Sequence, residues 1–206
     1  MTEKIVRIKD LGLQEFTPTW EAMKNFTLER NKSTPDEFWF VQHPATYTLG
    51  LNGKSRHVLN PTNIPLINTD RGGQVTYHAP GQLVVYCLVD LDRLGCGIHE
   101  FVKRLQNSIQ ALLKEYNISS HLVDKAPGVY INDKKIAALG LRVKKQCTYH
   151  GLSININMDL SPFKDINPCG YTGLEVTQLK DLNVSDTMDI IIEKFKPILK
   201  NSIYLD

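Results

Sequence analysis

Apolar positions recur along this chain with two periods, near two and near 3.6, and the change of period marks its elements. Ile5-Val6-Arg7-Ile8 alternates weakly and predicts a first strand. Residues 18 to 30 predict a helix that opens at Pro18, with Trp20, Met23, Phe26 (or Thr27) and Arg30 at helical spacing. Phe38-Trp39-Phe40-Val41 is aromatic and β-branched, which favours a strand. Residues 44 to 64 are rich in Pro, Asn and Gly and read as one long loop. Loops of that length in compact domains are often functional. Val75-Thr76-Tyr77 and the run from Leu83 to Val89 read as strands on either side of the turn Ala79-Pro80-Gly81. The second run has no polar interruption, as expected of a central strand.

Residues 98 to 116 predict the clearest helix. Ile98, Phe101, Val102, Leu105, Ile109, Leu112, Leu113 and Tyr116 fall on one face, with Gly97 before and Asn117 after. Val129-Tyr130-Ile131 and Ile136-Ala137-Ala138 flank Asn132-Asp133-Lys134-Lys135, a hairpin signal, and residues 140 to 144 continue its second strand. Leu152-Ser153-Ile154-Asn155-Ile156-Asn157 alternates strictly, a strand with one polar face. Residues 158 to 173 read as irregular. Ser185 is placed to cap a last helix with Met188, Ile191, Ile192 and Phe195 inside, which Pro197 ends or kinks. Strands and helices without regular alternation predict an α/β protein of the α+β type, with a mixed, largely antiparallel sheet packed with helices.

Composition narrows the function classes. The chain has 206 residues, read as one domain spanning 1–206 with no linker, repeat or low-complexity tract. Lys plus Arg number 24 against 22 Asp plus Glu, a formal +2, which argues against a nucleic-acid backbone as main partner. The longest apolar run, Leu83 to Val89, is far short of the ~20 residues that span a bilayer. Met1-Thr2-Glu3-Lys4-Ile5-Val6-Arg7 has no apolar secretory core, so the expected compartment is the cytoplasm. There the four cysteines, Cys87, Cys96, Cys147 and Cys169, stay unpaired. None has metal-ligand spacing, and His43, His57, His99 and His121 have no companions at such spacing either; they read as ordinary structural histidines.

Four stretches could carry chemistry. Arg71-Gly72-Gly73-Gln74-Val75-Thr76-Tyr77-His78-Ala79-Pro80-Gly81-Gln82 combines a close-approach glycine pair with a guanidinium able to fork onto an oxygen ligand. A plain turn into a strand explains it as well, and it is neither a P-loop nor a dinucleotide fingerprint. Pro168-Cys169-Gly170 puts a cysteine on a turn, where its sulfur is accessible. Lone cysteines are more often structural than catalytic; of the four, Cys169 is the best candidate nucleophile. Lys135, in Lys134-Lys135-Ile136-Ala137-Ala138-Leu139-Gly140, is either a solvated turn lysine or one desolvated beside a reacting centre. His150, in Tyr149-His150-Gly151-Leu152-Ser153, is a donor or merely satisfies a loop carbonyl.

Together the stretches 71 to 86, 128 to 143, 149 to 160 and 167 to 170, in this order, resemble the lipoate-protein octanoyltransferases from about Phe38 to Gly173. One departure is visible: Ala79 stands where that family usually has glycine, and its methyl disfavours positive φ. The resemblance implies a fold shared with lipoate and biotin protein ligases. It implies transfer of an octanoyl group from octanoyl-acyl carrier protein to one lysine of a lipoyl domain, as in 2-oxoacid dehydrogenase complexes and the glycine cleavage H protein. No cofactor, metal, nucleic acid or membrane is implied. It makes Cys169 the acyl-carrying nucleophile and Lys135 its partner. Substrate contacts would come from Arg71, Gly72, Gly73, Gln74, Val75, Thr76, Tyr77 and His78, from Ala138, Leu139 and Gly140, and from Gly151, Leu152 and Ser153.

That chemistry suits the residue types. A thioester donor is already activated, and cysteine exchanges it for another thioester of similar energy. The incoming amine must lose a proton, and a Lys135 of lowered pKa is the expected base. Backbone N–H groups near Gly140 or Cys169, or His78 and His150, are the expected oxyanion donors. Lys103-Arg104 and Arg142-Lys144-Lys145 are candidate patches for an acidic carrier. Three rivals remain: an ATP-dependent ligase of the same fold, a cysteine hydrolase using His78 or His150 as base, and a non-catalytic carrier-binding module.

Overall fold

The computed structural model describes residues 6–60, 62–124 and 126–204. In chain order the strands and α-helices are β1 (Val6–Leu13), α1 (Phe16–Glu29), β2 (Asp36–Gln42), β3 (Thr46–Leu49), β4 (Leu66–Asn68), β5 (Val75–His78), β6 (Gln82–Leu88), α2 (Leu91–Leu94), α3 (Ile98–Glu115), β7 (Gly128–Ile131), β8 (Lys134–Lys144), β9 (Cys147–Asn155) and α4 (Met188–Tyr204). Six strands form one sheet in the order β1-β2-β6-β9-β8-β7, with only the β1–β2 pair parallel. Three form a second sheet, β4-β3-β5. This is the mixed, largely antiparallel α+β arrangement that the periodicity predicts. The beginning of the predicted first strand, Ile5, and most of the N-terminal stretch read for a secretory core lie outside the described residues. Among those residues no helix is long and apolar enough to cross a membrane.

The uninterrupted run in β6 is central because both of its faces are covered. Leu83, Val85 and Cys87 share a core with Phe38 and Phe40 of β2, with Phe101, Leu105 and Ile109 of α3, and with Phe195 and Leu199 of α4. Val84, Tyr86 and Leu88 face the other way, with Trp39, Val41 and Met23 of α1. Each such side chain fully removed from water contributes roughly 1.5–3 kcal/mol. A third cluster, with Tyr47, Val75, Tyr77, Ala79 and Phe163, underlies the small sheet. Ala79 is buried there and is not among the positive-φ residues, so its methyl is accommodated.

Several boundaries differ from the sequence reading, each for a local reason. Helix α1 begins two residues before Pro18, whose missing N–H falls in the first turn, where no intrahelical partner is required. Its buried residues are Phe16, Thr19, Met23 and Thr27, with Trp20 and Phe26 of the predicted face half-buried against the same cluster. The two threonines are admitted because their hydroxyls donate to the carbonyls of Glu15 (2.7 Å) and Met23 (2.8 Å). The long loop at 44 to 64 contains a buried strand, β3, whose β-branched and aromatic Thr-Tyr-Thr-Leu was masked by Pro and Gly around it. The hairpin turn is two residues, Asn132-Asp133, not four. Asn132 takes φ 51°, which asparagine tolerates, and Lys134 and Lys135 already belong to β8. The last helix starts at Met188, with the Thr187 hydroxyl, not Ser185, accepting from the Ile190 N–H (3.5 Å). Pro197 does not end that helix; it is exposed, so the carbonyl it leaves unbonded on Glu193 can turn to water.

Candidate active site

Strict alternation in β9 divides its side chains between two layers. Leu152, Ile154 and Ile156 enter the core under α3 and α4. Ser153, paired with Val84 on β6 and Ala138 on β8, faces the opposite side, towards the small sheet. The polar face of β9 is therefore buried, not solvated. Between it and β5 lies a narrow cleft that opens to solvent. A smaller pocket adjoins it, lined in part by Lys135, Gln82 and Asn155. Thr76, Ala138, Ser153 and Cys169 line both, so they form the neck between the two spaces.

Cys169 sits in the 3₁₀ turn Pro168–Gly170, half-buried, with φ 55° and ψ 15°. A side-chain-bearing residue in the left-handed region is strained by roughly 1–3 kcal/mol, and such strain concentrates at functional sites. The buried Lys135 Nζ donates to its sulfur at 3.0 Å and to the Pro127 carbonyl at 3.2 Å, with the Tyr130 ring 5.1 Å away. Its side chain reaches inward because the β7–β8 register shifts between Val129 and Tyr130, and because Gly128 leaves it room. A Cβ on Gly128 would stand 2.8 Å from Lys135 Cε. Burial alone would lower the Lys135 pKa, but the sulfur opposite outweighs it and holds the amine above the ordinary lysine value. This corrects the lowered pKa expected from sequence.

Arg71 is buried and spends its donors on the chain itself. It bonds the Thr48 carbonyl (2.6 Å), the Thr48 hydroxyl (2.8 Å), the Gln74 carbonyl (2.8 Å) and the Gly72 carbonyl (3.0 Å). Burial pulls it down to about 10, still a cation at neutral pH. Instead of gripping a free anion, it ties the 71–74 loop to β3. Its stem crosses the sheet at Gly140, where a Cβ would lie 3.2 Å from Arg71 Cδ.

Three buried histidines stand around the cleft, all held neutral. Burial draws His43 down to about 4 and His78 to about 3, and it also lowers His150. His43 contacts the Gln14 carbonyl and the Tyr86 hydroxyl, both at 2.7 Å. His78 lies 2.7 Å from Gln82 Oε1 and stacks on Phe16. His150, with φ 59° inside β9, lies 2.9 Å from Asp70 Oδ1. Asp70 also accepts from Trp20 Nε1 (2.9 Å) and from the Tyr149 hydroxyl. Burial would raise its pKa, but these hydrogen bonds hold it well below the usual carboxylate range.

Of the residues singled out from sequence, Arg71, Gly73, Gln74, Val75, Thr76, His78, Ala138, Leu139, Gly140, Gly151, Leu152, Ser153 and Cys169 line the cleft. Gly72 does not; its N–H bonds the Leu141 carbonyl (2.8 Å). Tyr77 does not either, because alternation turns it into the small-sheet core against Phe163. Phe16, Val84 and Tyr86 line the cleft without having been singled out, and Asp70 and His43 support it from behind. Asp70 directly precedes the conspicuous Arg71, the one sequence signal that pointed near it. Neither His78 nor His150 contacts the sulfur, which leaves a Cys–His hydrolase without its pair. Arg142, Lys144 and Lys145 lie at or just beyond the end of β8 remote from Lys135, some 20–30 Å away by strand rise. Arg104 is engaged with Glu100 and the Ile203 carbonyl. Exposed Lys54 and Arg56, by contrast, adjoin His57, whose carbonyl accepts from the Asn167 N–H next to the Pro168–Gly170 turn (2.8 Å). Among the described residues no cluster of three or more His, Cys, Asp or Glu is set to hold a metal ion.

Residues 17–203 match the family described as the lipoyl protein ligase A/B catalytic domain. The chain is 53% identical over 199 residues to an octanoyltransferase of Vesicomyosocius okutanii subsp. Calyptogena okutanii, covering 96% of this chain and 98% of that one. In structure it resembles lipoate-protein ligase A solved with ATP, at TM-score 0.80, 13% identity and coverage of 97% and 86% of the two chains. It also resembles biotin protein ligase from Aquifex aeolicus, at TM-score 0.58, 15% identity and coverage of 95% and 68%. At such low identities the two structures establish a shared fold.

Proposed function

The chain belongs to the lipoyl protein ligase A/B catalytic-domain family and, within it, to the octanoyltransferases, and on that premise we propose that it carries the octanoyl group on Cys169 between an acyl carrier protein and a lipoyl-domain lysine. The observation that carries this reading is the 3.0 Å contact between Lys135 Nζ and Cys169 Sγ at the neck of an otherwise largely apolar cleft. An ammonium at that distance is a counter-ion for a thiolate, the form of cysteine that attacks.

The proton traffic follows from what surrounds Lys135. In the free site the sulfur holds the ammonium in place. Attack on the donor thioester makes Cys169 a neutral thioester and releases the donor's thiol as a thiolate. Lys135 protonates that leaving group. The anion that favoured its charge is now gone, and burial favours the neutral amine. Neutral Lys135 then takes one proton from the incoming lysine ammonium as its nitrogen attacks the acyl group, and the second proton on that nitrogen passes to solvent as the amide forms. Cys169 leaves as thiolate, and the ion pair is restored. The residue thus serves as acid in one half-reaction and base in the other. The octyl chain lies in the cleft beside Val84, Ala138 and the ring of Phe16.

Intact-protein mass after mixing with octanoyl-acyl carrier protein tests this. The protein is expected to gain one octanoyl group, removable by apo lipoyl domain without ATP, and Cys169→Ala to gain none. Normal transfer by that variant, or a requirement for ATP, overturns the reading.

A further inference from the structure

A thiolate that attacks a thioester creates an oxyanion, and the protein must offer it donors that nothing else occupies. The histidines expected to serve are engaged elsewhere, His78 with Gln82 and Thr48 and His150 with Asp70. At the neck, however, stand two largely buried residues that carry hydroxyls. Thr76 on β5 and Ser153 on β9 approach from facing sheets, and each lines both spaces that meet at Cys169. Neighbouring polar side chains are spoken for: Gln82 donates to the Tyr77 carbonyl and to Asn155, and Asn155 donates to the Thr177 carbonyl. Thr76 Oγ1 and Ser153 Oγ have no hydrogen-bond partner among the described residues. Neither oxygen is walled off from the cleft, so both are free to donate to a ligand bound there.

We propose that Thr76 and Ser153 are catalytic residues whose hydroxyls form the oxyanion-binding pair for the tetrahedral intermediate at Cys169. This rests on the acyl-cysteine reading above and adds the groups that make its first step fast. As the Cys169 sulfur bonds to the carbonyl carbon, the π electrons move to the oxygen, and the two hydroxyls donate to it without giving up their protons. When the carbonyl re-forms, the donor's C–S bond breaks and the electron pair leaves with that sulfur, which Lys135 protonates. The hydroxyls return unchanged. Fixed on two rigid strands, they need no reorganisation at the moment of attack.

The test compares two reactions of the same sulfur. Acylation by an octanoyl thioester passes through an oxyanion; alkylation by iodoacetamide is a direct displacement and does not. Thr76→Val and Ser153→Ala are each expected to slow single-turnover acyl-enzyme formation by about 10²–10³-fold. Alkylation of Cys169, followed by peptide mass, should keep its wild-type rate in both, and Thr76→Ser should restore acylation. Wild-type acylation rates in both variants overturn the proposal. So does alkylation slowed as much as acylation, which assigns the hydroxyls to shaping the nucleophile turn, or a change confined to KM. If the wild-type protein itself takes up no octanoyl group, the acyl-cysteine reading has failed and the proposal falls with it.

Discussion

At the scale of single residues, Lys135 is the informative case, because burial and its partner pull it in opposite directions and the partner wins. Charge and reach can be separated by substitution. Lys135→Met keeps most of the length and removes the charge, so the fold should hold. Acyl-enzyme formation is expected to fall by about 10²–10⁴-fold, the range for loss of an acid–base group. Alkylation of Cys169 should slow as well, since the thiolate has lost its counter-ion, and this is the opposite of the behaviour expected of Thr76→Val and Ser153→Ala. Single-turnover kinetics of both reactions check it; unchanged alkylation would remove Lys135 from the nucleophile's surroundings. Lys135 and Cys169 were legible as candidates from residue type and turn context. Their pairing came from the family resemblance and not from any local pattern, because 34 positions separate them.

At the scale of elements, the β7–β8 hairpin is what delivers Lys135. Its register shift and the bare Gly128 together make the path. Gly128→Ala would place a Cβ 2.7 Å from the Ala137 carbonyl oxygen and 2.8 Å from Lys135 Cε. The strand must then shift, and a misplacement on the order of 1 Å at a catalytic group costs about 10²-fold in rate. The expected outcome is a large fall in kcat with a stability loss of about 1–3 kcal/mol from overpacking. Parallel kcat and thermal-melt measurements decide it, and a melt lowered without loss of kcat contradicts the placement. The strong periodicities of α3 and β9 translated directly into structure, since each is set by contacts repeated along the element. Strand β3 was misread as loop, and Thr19 on α1 was missed, because four residues between Pro and Gly, or a threonine bonded to its own helix, carry little hydrophobic signal.

At the scale of the whole molecule, the neutral histidines bind the site to the stability of the fold. An unfolded histidine takes up a proton near pH 6.5, whereas folded His43 and His78 resist until about 4 and about 3. Between those limits the unfolded state binds more protons, so stability rises with pH and is lost as pH falls below about 6.5. Asp70, whose folded pKa is depressed, adds a second loss as pH falls below the ordinary carboxylate value of about 3.9. Melting temperature should therefore drop steadily from pH 7 to pH 4.5, and a flat profile by circular dichroism would contradict the buried neutral histidines. What the sequence determined by itself was most of the longer elements, the fold class and the short list Arg71, Lys135, His150 and Cys169, because periodicity and turn chemistry act over neighbours along the chain. The tertiary structure alone decided which of these meet. Alternation on β9 and β5 sends Ser153 and Thr76 to one neck, Arg71 turns inward to clamp its own loop, and Asp70 rather than Cys169 takes the His150 ring. Those outcomes depend on which strands lie side by side and which donors are already taken, and no local pattern of residues encodes either.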